Sequence, residues 1–375
     1  RRIQFSHFPG APFVEDEAGD GELPDGPPKW RGLKLINTLD LENIIICTDF
    51  ESAQDDEGAI GVIKSQCVID DVSFSRTHIR MIYTEDASVI IRNTKFPDMF
   101  TDEEKPAELG LDNISEHIKG IGEIPEGGRY IIRDNYFGRN KGHNDVIDVD
   151  SGWRPGPIVQ IIGNYFAGAG DELCDLGGDV YLSENVFLNV FKDDETSDRG
   201  YANAISTGDV GPGATFSISR NVFSDVDHAI SLKIQSAAIF ENNTVYKIHP
   251  DFNDRFDNPS VASVVNLFIP TDTDSRATHG KGAYLTDNIL VTPRVFSGAD
   301  DAKEPPYPVT PLELVQNLLD PQLSDLTIGR NHEGLSILDL GKNNTIDFPL
   351  FADPESQDFK LHPASPARGA GKFGQ

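Results

Sequence analysis

The sequence predicts an all-β protein folded as a parallel β-helix solenoid, and three observations lead there. First, one motif recurs: a β-rich run, a polar pair, Asn, a single spacer and a large apolar residue. It closes at Phe137 ("YIIRDNYF"), Phe166 ("VQIIGNYF"), Phe187 ("VYLSENVF"), Phe223 ("FSISRNVF"), Val245 ("AIFENNTV") and Leu290 ("AYLTDNIL"). Two earlier copies, "VIDDVSF" and "VIIRNTKF", vary the spacing by one. Second, the shortest steps between copies are 21 or 22 residues. A unit that short cannot bury its apolar face alone and must stack on its neighbours. Third, most copies are preceded by a second short strand: "IRMIYT", "VIDVDS", "ELCDLG", "NAISTG" and "AISLKI". A β-sandwich also has many short strands, but it gives no reason for the same Asn turn each time.

The elements follow in order. Residues 1–30, rich in Pro and Gly, read as an irregular N-terminal cap. Residues 31–295 read as the main solenoid, and residues 296–375 as C-terminal coils and a cap, all within one domain, 1–375. Asn135, Asn164, Asn185, Asn221, Asn243 and Asn288 fit a ladder of stacked amides at a sharp turn. Residues 97–129 and 247–283 read as insertions, the first with room for one short helix in "AELGLDNISEHIKGIG". Long insertions in a repeat are either functional walls or tolerated loops. Cys47, Cys67 and Cys174 lie in apolar runs and read as buried free thiols, not a disulfide framework or a zinc site. "NIS" at Asn113 and "NNT" at Asn242 and Asn343 match a glycosylation acceptor pattern that an Asn-rich chain produces by chance.

On these repeats the chain resembles the right-handed parallel β-helix superfamily of pectate-lyase-like proteins, and "DFKLHPASPARGAG" near the end is similar to the last coil of many bacterial members. "ISLK" followed by "FENNTV" resembles the lysine-bearing rung of the alginate-lyase and chondroitinase-B type. That resemblance implies a right-handed solenoid and carbohydrate chemistry. It departs at His228, where the family has an acidic metal ligand five residues before its lysine.

Composition narrows the partners. With 61 acidic against 32 basic residues the formal charge is −29, which repels nucleic acid and anionic lipid. It suits divalent cations or a salty environment. No apolar run reaches the length of a membrane span. A start at Arg1 without Met leads us to expect further domains or a removed leader in a longer native chain. An extracellular, cell-surface or periplasmic location is expected with it.

The candidate site lies on the second strands. Taking Ile147, Cys174, Ile205 and Ile230 as equivalent core positions, alternation points Asp148, Asp175, Ser206 and Ser231 outward. Two residues on come Asp150, Gly177, Gly208 and Lys233; two residues before the core position come Asp145, Glu172, Asn203 and His228. Asp145, Asp148, Asp150, Glu172 and Asp175 then meet on one patch, where five carboxylates cannot all stay ionised unaided. Oxygen-only ligands point to calcium; a solvated acidic face is the plain alternative. Lys233 is the candidate base, and His143 and His228 are candidate acids or bases. Arg199, in "FKDDETSDRGYAN" with Asp193, Asp194 and Asp198, is a candidate carboxylate clamp. Arg80, beside His78, together with Tyr83, Trp153 and Tyr201, is a candidate substrate contact.

Three functions stay open at this stage. One is a calcium-dependent polysaccharide lyase that cleaves a uronate-containing glycan by β-elimination, as the lysine rung implies. Another is a glycoside hydrolase with Asp148 and Asp175 as its carboxyl pair, whose rung spacing fits a retaining mechanism. The last is a non-catalytic glycan-binding or structural module, since fold does not fix function. The expected partner is a polysaccharide or oligosaccharide in each of the first two cases.

Overall fold

The computed structural model describes residues 2–5, 30–53, 55–77, 79–99, 116–140, 144–191, 202–208, 213–248, 262–267, 280–292, 294–298, 312–321 and 343–372. Among them the solenoid is plain. Ten strands, one per coil, form one parallel sheet from Leu33–Ile36 through Ile147–Val149, Glu172–Leu176, Asn203–Thr207 and His228–Leu232 to Phe296–Gly298. A second parallel sheet has twenty strands. From Ser88–Arg92 and Lys95–Phe96 onward, the described coils up to Leu318–Leu319 each give it two strands, bent at a corner.

The corner explains the repeat. The residue before each Asn has a left-handed backbone: Asp134, Glu184, Arg220, Asn242, Asp287, Gln316 and Asn343 all have φ between 54° and 63°. The Asn then satisfies the buried backbone around it. The Asn164 backbone N–H and Nδ2 donate to Asn185 Oδ1 at 2.9 and 3.0 Å. Asn185 Nδ2 donates to the Ile161 carbonyl at 2.9 Å and to Asn221 Oδ1 at 3.0 Å. The same pattern runs from Asn135 through Asn243 and Asn288 to Asn317 and Asn344, the last two beyond the copies read from sequence.

Inside the corner, Phe96, Phe137, Phe166, Phe187 and Phe223 stack with ring centroids 4.5 to 4.9 Å apart. Phe74 continues the stack at 5.4 Å and Phe50 at 5.7 Å. Offset aromatic stacks of this kind bury large apolar area and add packing energy beyond it.

Several expectations are corrected. The two earliest copies do not vary the spacing: Arg92 pairs with Arg133 and Lys95 with Tyr136, so Thr94 stands where later coils have Asn. The Thr94 N–H donates to Asn135 Oδ1 at 2.9 Å and starts the ladder. Within the first insertion Glu116–Ile121 is a strand of the ten-stranded sheet, not a helix, and within the second so is Ser263–Leu267. Stacking on Arg80–Glu85 and on His228–Leu232 decides both, because a coil in a solenoid must supply a strand to its neighbours. Ile3–Phe5, in the expected irregular cap, pairs in parallel with Thr48, Asp49 and Phe50. "DFKLHPASPARGAG" does not add a coil. Asp358–Leu361 pairs antiparallel with Phe351–Asp353, and Phe359 and Phe351 pack on Tyr246 outside the solenoid. The three cysteines are free, and Cys47 is only half-buried.

The amide ladder makes a prediction. Asn185→Ala removes the acceptor of two buried donors on Asn164, and each buried donor left unpaired costs about 1–3 kcal/mol. Its chemical-unfolding midpoint should fall accordingly, while exposed Tyr165→Ala on the preceding coil shifts it little. Equal midpoints for Asn185→Ala and the parent would show that the ladder is not a main source of stability.

Candidate functional site

The sheet register brings the candidate columns together as aligned. Ile147 pairs with Cys174, Cys174 with Ile205, and Ile205 with Ile230. All four are fully buried. On the outer face Asp148 therefore neighbours Asp175, and Asp175 neighbours Ser206 and then Ser231. The column continues backward, since Lys119 pairs with Asp148 and Tyr83 with Lys119. In the adjacent column Arg80 pairs with Glu116, and Glu172 pairs with Asn203 and then His228, the last two of them buried.

Ligand oxygens of Asp145, Asp171 and Glu172 lie within 4.8 Å of one another. Asp171 sits one residue before the assigned column and was not among the expected ligands. Burial first, then the charges of Glu172, Asp175, Asp171 and Asp148, push the Asp145 carboxyl well above the ordinary carboxylate range. Burial first, then Asp171, pushes Glu172 up to about 8, with Lys233 pulling the other way. Glu172 Oε1 accepts from Asn203 Nδ2 at 2.8 Å. Asp145 Oδ1 and Ser206 Oγ are shielded from solvent and take no hydrogen bond.

Asp148 faces differently. Its Oδ2 accepts a close hydrogen bond from Lys119 Nζ, with both side chains largely covered. Burial works to lower the Lys119 ammonium, but Asp148, then Glu116 and Asp150, outweigh it and hold its pKa above the usual lysine value. Asp150 lies over the bare backbone of the next coils: a Cβ on Gly177 would stand 2.3 Å from Asp150 Oδ1, and one on Gly208 3.2 Å from it. Glycine at Gly177 is what leaves room for that carboxylate.

Five of the other expected residues are among those described. Lys233 is half-buried, and its backbone N–H donates to Thr207 Oγ1 at 2.6 Å. His228 is 1% exposed, and its Nδ1 accepts from the Ser263 N–H at 3.1 Å. Burial lowers its pKa to about 3, so the ring stays neutral at ordinary pH. Arg80 Nε donates to Glu116 Oε2 at 2.5 Å, which ties that guanidinium to its own rung. Tyr83 is half-buried, with its hydroxyl donating to Glu85 Oε2 at 3.3 Å. Trp153 packs partly against the main core. His78, His143, Arg199 and Tyr201 lie outside the described residues, as do Asp193, Asp194 and Asp198.

Lys119 is the residue that sequence reasoning missed. The signal was there, because Glu116–His117–Ile118–Lys119 stands in register with Glu172–Leu173–Cys174–Asp175 through the intervening coil. It was hidden inside a segment read as an insertion.

Compared with known proteins, the chain matches no family model, no curated protein and no solved structure. Among the described residues no helix is long and apolar enough to cross a membrane.

The carboxyl shifts predict a pH dependence. An unfolded Glu172 releases its proton near 4.5, whereas the folded one holds it to about 8. The folded state thus carries the extra proton in that window, and stability falls as pH rises through it. Asp145 acts in the same direction. In chelator, Glu172→Gln should flatten the decline of the unfolding midpoint between pH 5 and 8 and raise the midpoint at the alkaline end. A decline as steep in the variant as in the parent would remove Glu172 from the account.

Proposed function

We propose that this chain is a secreted carbohydrate-active protein of the pectate-lyase-like type, and that it cleaves a uronate-containing glycan by calcium-dependent β-elimination. The observation that carries the reading is the convergence of Asp145, Asp171 and Glu172 within 4.8 Å beside Lys233. The donor set fits a hard cation. It is all oxygen, it contains a shielded carboxylate oxygen without a partner, and burial, then neighbouring acids, raise two of its carboxyls above their usual range, a state that added positive charge would relieve. Asp145, Asp171 and Glu172 would hold the ion, with Asp175 and Ser206 on the adjoining column.

Bound there, calcium would supply positive charge for a uronate carboxylate. The remaining work belongs to the chain. Lys233, which already interacts with Glu172, stands at the rim to take the proton α to that carboxylate. Beyond Asp175 the column continues through buried Ser206 and Ser231 to half-buried Asn266, whose amide donates to Ser231 Oγ at 3.2 Å and is the one of the three that a sugar hydroxyl could reach. His228, buried and neutral, holds Ser263 in place on the inner side of this wall.

A second reading, glycoside hydrolysis, is favoured by one observation. A Glu172 that keeps its proton to about 8 is suited to protonate a leaving group at neutral pH. One experiment separates the two. Calcium is titrated by calorimetry into the parent and into Asp145→Asn with Glu172→Gln. A uronate-glycan panel is then followed in the ultraviolet and by reducing-end assay, with and without chelator. The lyase reading expects a site lost in the double variant and a calcium-dependent rise in absorbance from the new double bond. Reducing ends without absorbance, unaffected by chelator, would replace it with the hydrolase. Calcium binding with no product from any glycan would leave a binding or structural module.

A further inference from the structure

Among the described residues, the buried hydroxyls of the ten-stranded sheet are bonded with one exception. Thr84 Oγ1 meets the Tyr130 hydroxyl at 2.9 Å, Thr207 Oγ1 accepts from the Lys233 N–H at 2.6 Å, and Ser231 Oγ accepts from Asn266 Nδ2 at 3.2 Å. Ser263 Oγ and Ser297 Oγ meet at 2.6 Å. Ser206 is the exception: it has no exposed surface, and its Oγ takes no hydrogen bond. A hydroxyl turns about a single bond and can donate or accept, so it ordinarily finds a partner. Ser206 does not, although Asp175 stands beside it on the neighbouring rung. A shielded hydroxyl in that state points to an ion or an ordered water.

The strand of Ser206, Asn203–Thr207, stacks directly on Glu172–Leu176. It is already tied to the acid cluster, because Asn203 Nδ2 donates to Glu172 Oε1 at 2.8 Å. Asp175, the rung neighbour of Ser206, lies near enough for its charge to act on Asp145 and Glu172. Within the cluster, Asp145 Oδ1 is likewise shielded and without a hydrogen bond. We propose that Ser206 Oγ is a neutral ligand of the divalent ion held by Asp145, Asp171 and Glu172, so that the ion joins three successive coils. The inference rests on the metal reading above. Three carboxylates already exceed the charge of such an ion, yet calcium takes about six to eight oxygens. A hydroxyl supplies one without adding repulsion. No sugar reaches Ser206, which has no exposed surface, so what meets it must be small enough to enter between the coils.

Two measurements on the full chain separate a ligand from a structural hydroxyl. Calcium affinity is taken by calorimetry, and the unfolding midpoint is taken in chelator, for the parent, Ser206→Ala and Thr84→Val. Thr84→Val removes a buried hydroxyl that is bonded, to Tyr130 in an earlier coil. It should lower the midpoint in chelator and leave calcium affinity unchanged. Ser206→Ala should do the reverse. Its midpoint in chelator should match or exceed that of the parent, since no hydrogen bond is lost, while its calcium affinity falls about tenfold or more. Parent-like affinity in Ser206→Ala would assign the hydroxyl to an ordered water and overturn the proposal. If the parent's ion were nonetheless lost in Asp145→Asn with Glu172→Gln, the metal reading would stand without Ser206. A parent that binds no calcium would refute the metal reading and the Ser206 ligand together.

Discussion

A coil that turns a corner inside a solenoid buries backbone N–H groups that no strand ladder reaches, and a buried donor without a partner is costly. The asparagine amide resolves this at each coil. Its oxygen takes the N–H and amide of the preceding Asn, and its nitrogen reaches back to a strand carbonyl, as Asn164, Asn185 and Asn221 show in sequence. The residue before it must be left-handed, and the chain accepts Asp134, Glu184 and Arg220 there although only glycine adopts that region freely. The phenylalanine two residues on then lands on its counterparts, and the aromatic stack locks the coils in register.

That periodicity is why so much was legible. The N-x-apolar turn is local chemistry written into each coil, so the fold class, the stacked amides and the pairing of Ile147, Cys174, Ile205 and Ile230 could all be read from residues alone. Two of the failures share one cause. Glu116–Ile121 and Ser263–Leu267 sit behind long preceding segments, and neither carries a local turn signal that sets its place in the sheet. Their identity as strands is fixed by the neighbours they stack on, which is non-local information. Thr94 is the complementary case: a residue without an amide holds an Asn position because the coils on either side impose the register.

The site inherits the same logic in electrostatic form. In a parallel stack each outward residue has two neighbours one rung away, about 4.8 Å, so a column behaves as a line of charges. Opposite charges one rung apart are favourable and like charges are not. Arg80 with Glu116, and Lys119 with Asp148, satisfy that rule. Beyond each pair the next residue is again acidic: Asp145 and Glu172 in one column, Asp175 in the other.

The position of the candidate ion therefore follows from where pairing runs out. The first column spends its base on Glu116; beyond it Asp145 and Glu172 lie close together, and Glu172 accepts from Asn203 on the far side. Proton retention is the cheapest response of an isolated protein, and it is what the raised pKa values of Asp145 and Glu172 express. A cation would replace those protons and release the carboxylates as ligands, so acidity and metal affinity at this site are two states of one unpaired charge. On this argument a proton-bearing Glu172 and an ionised, cation-holding Glu172 exclude each other.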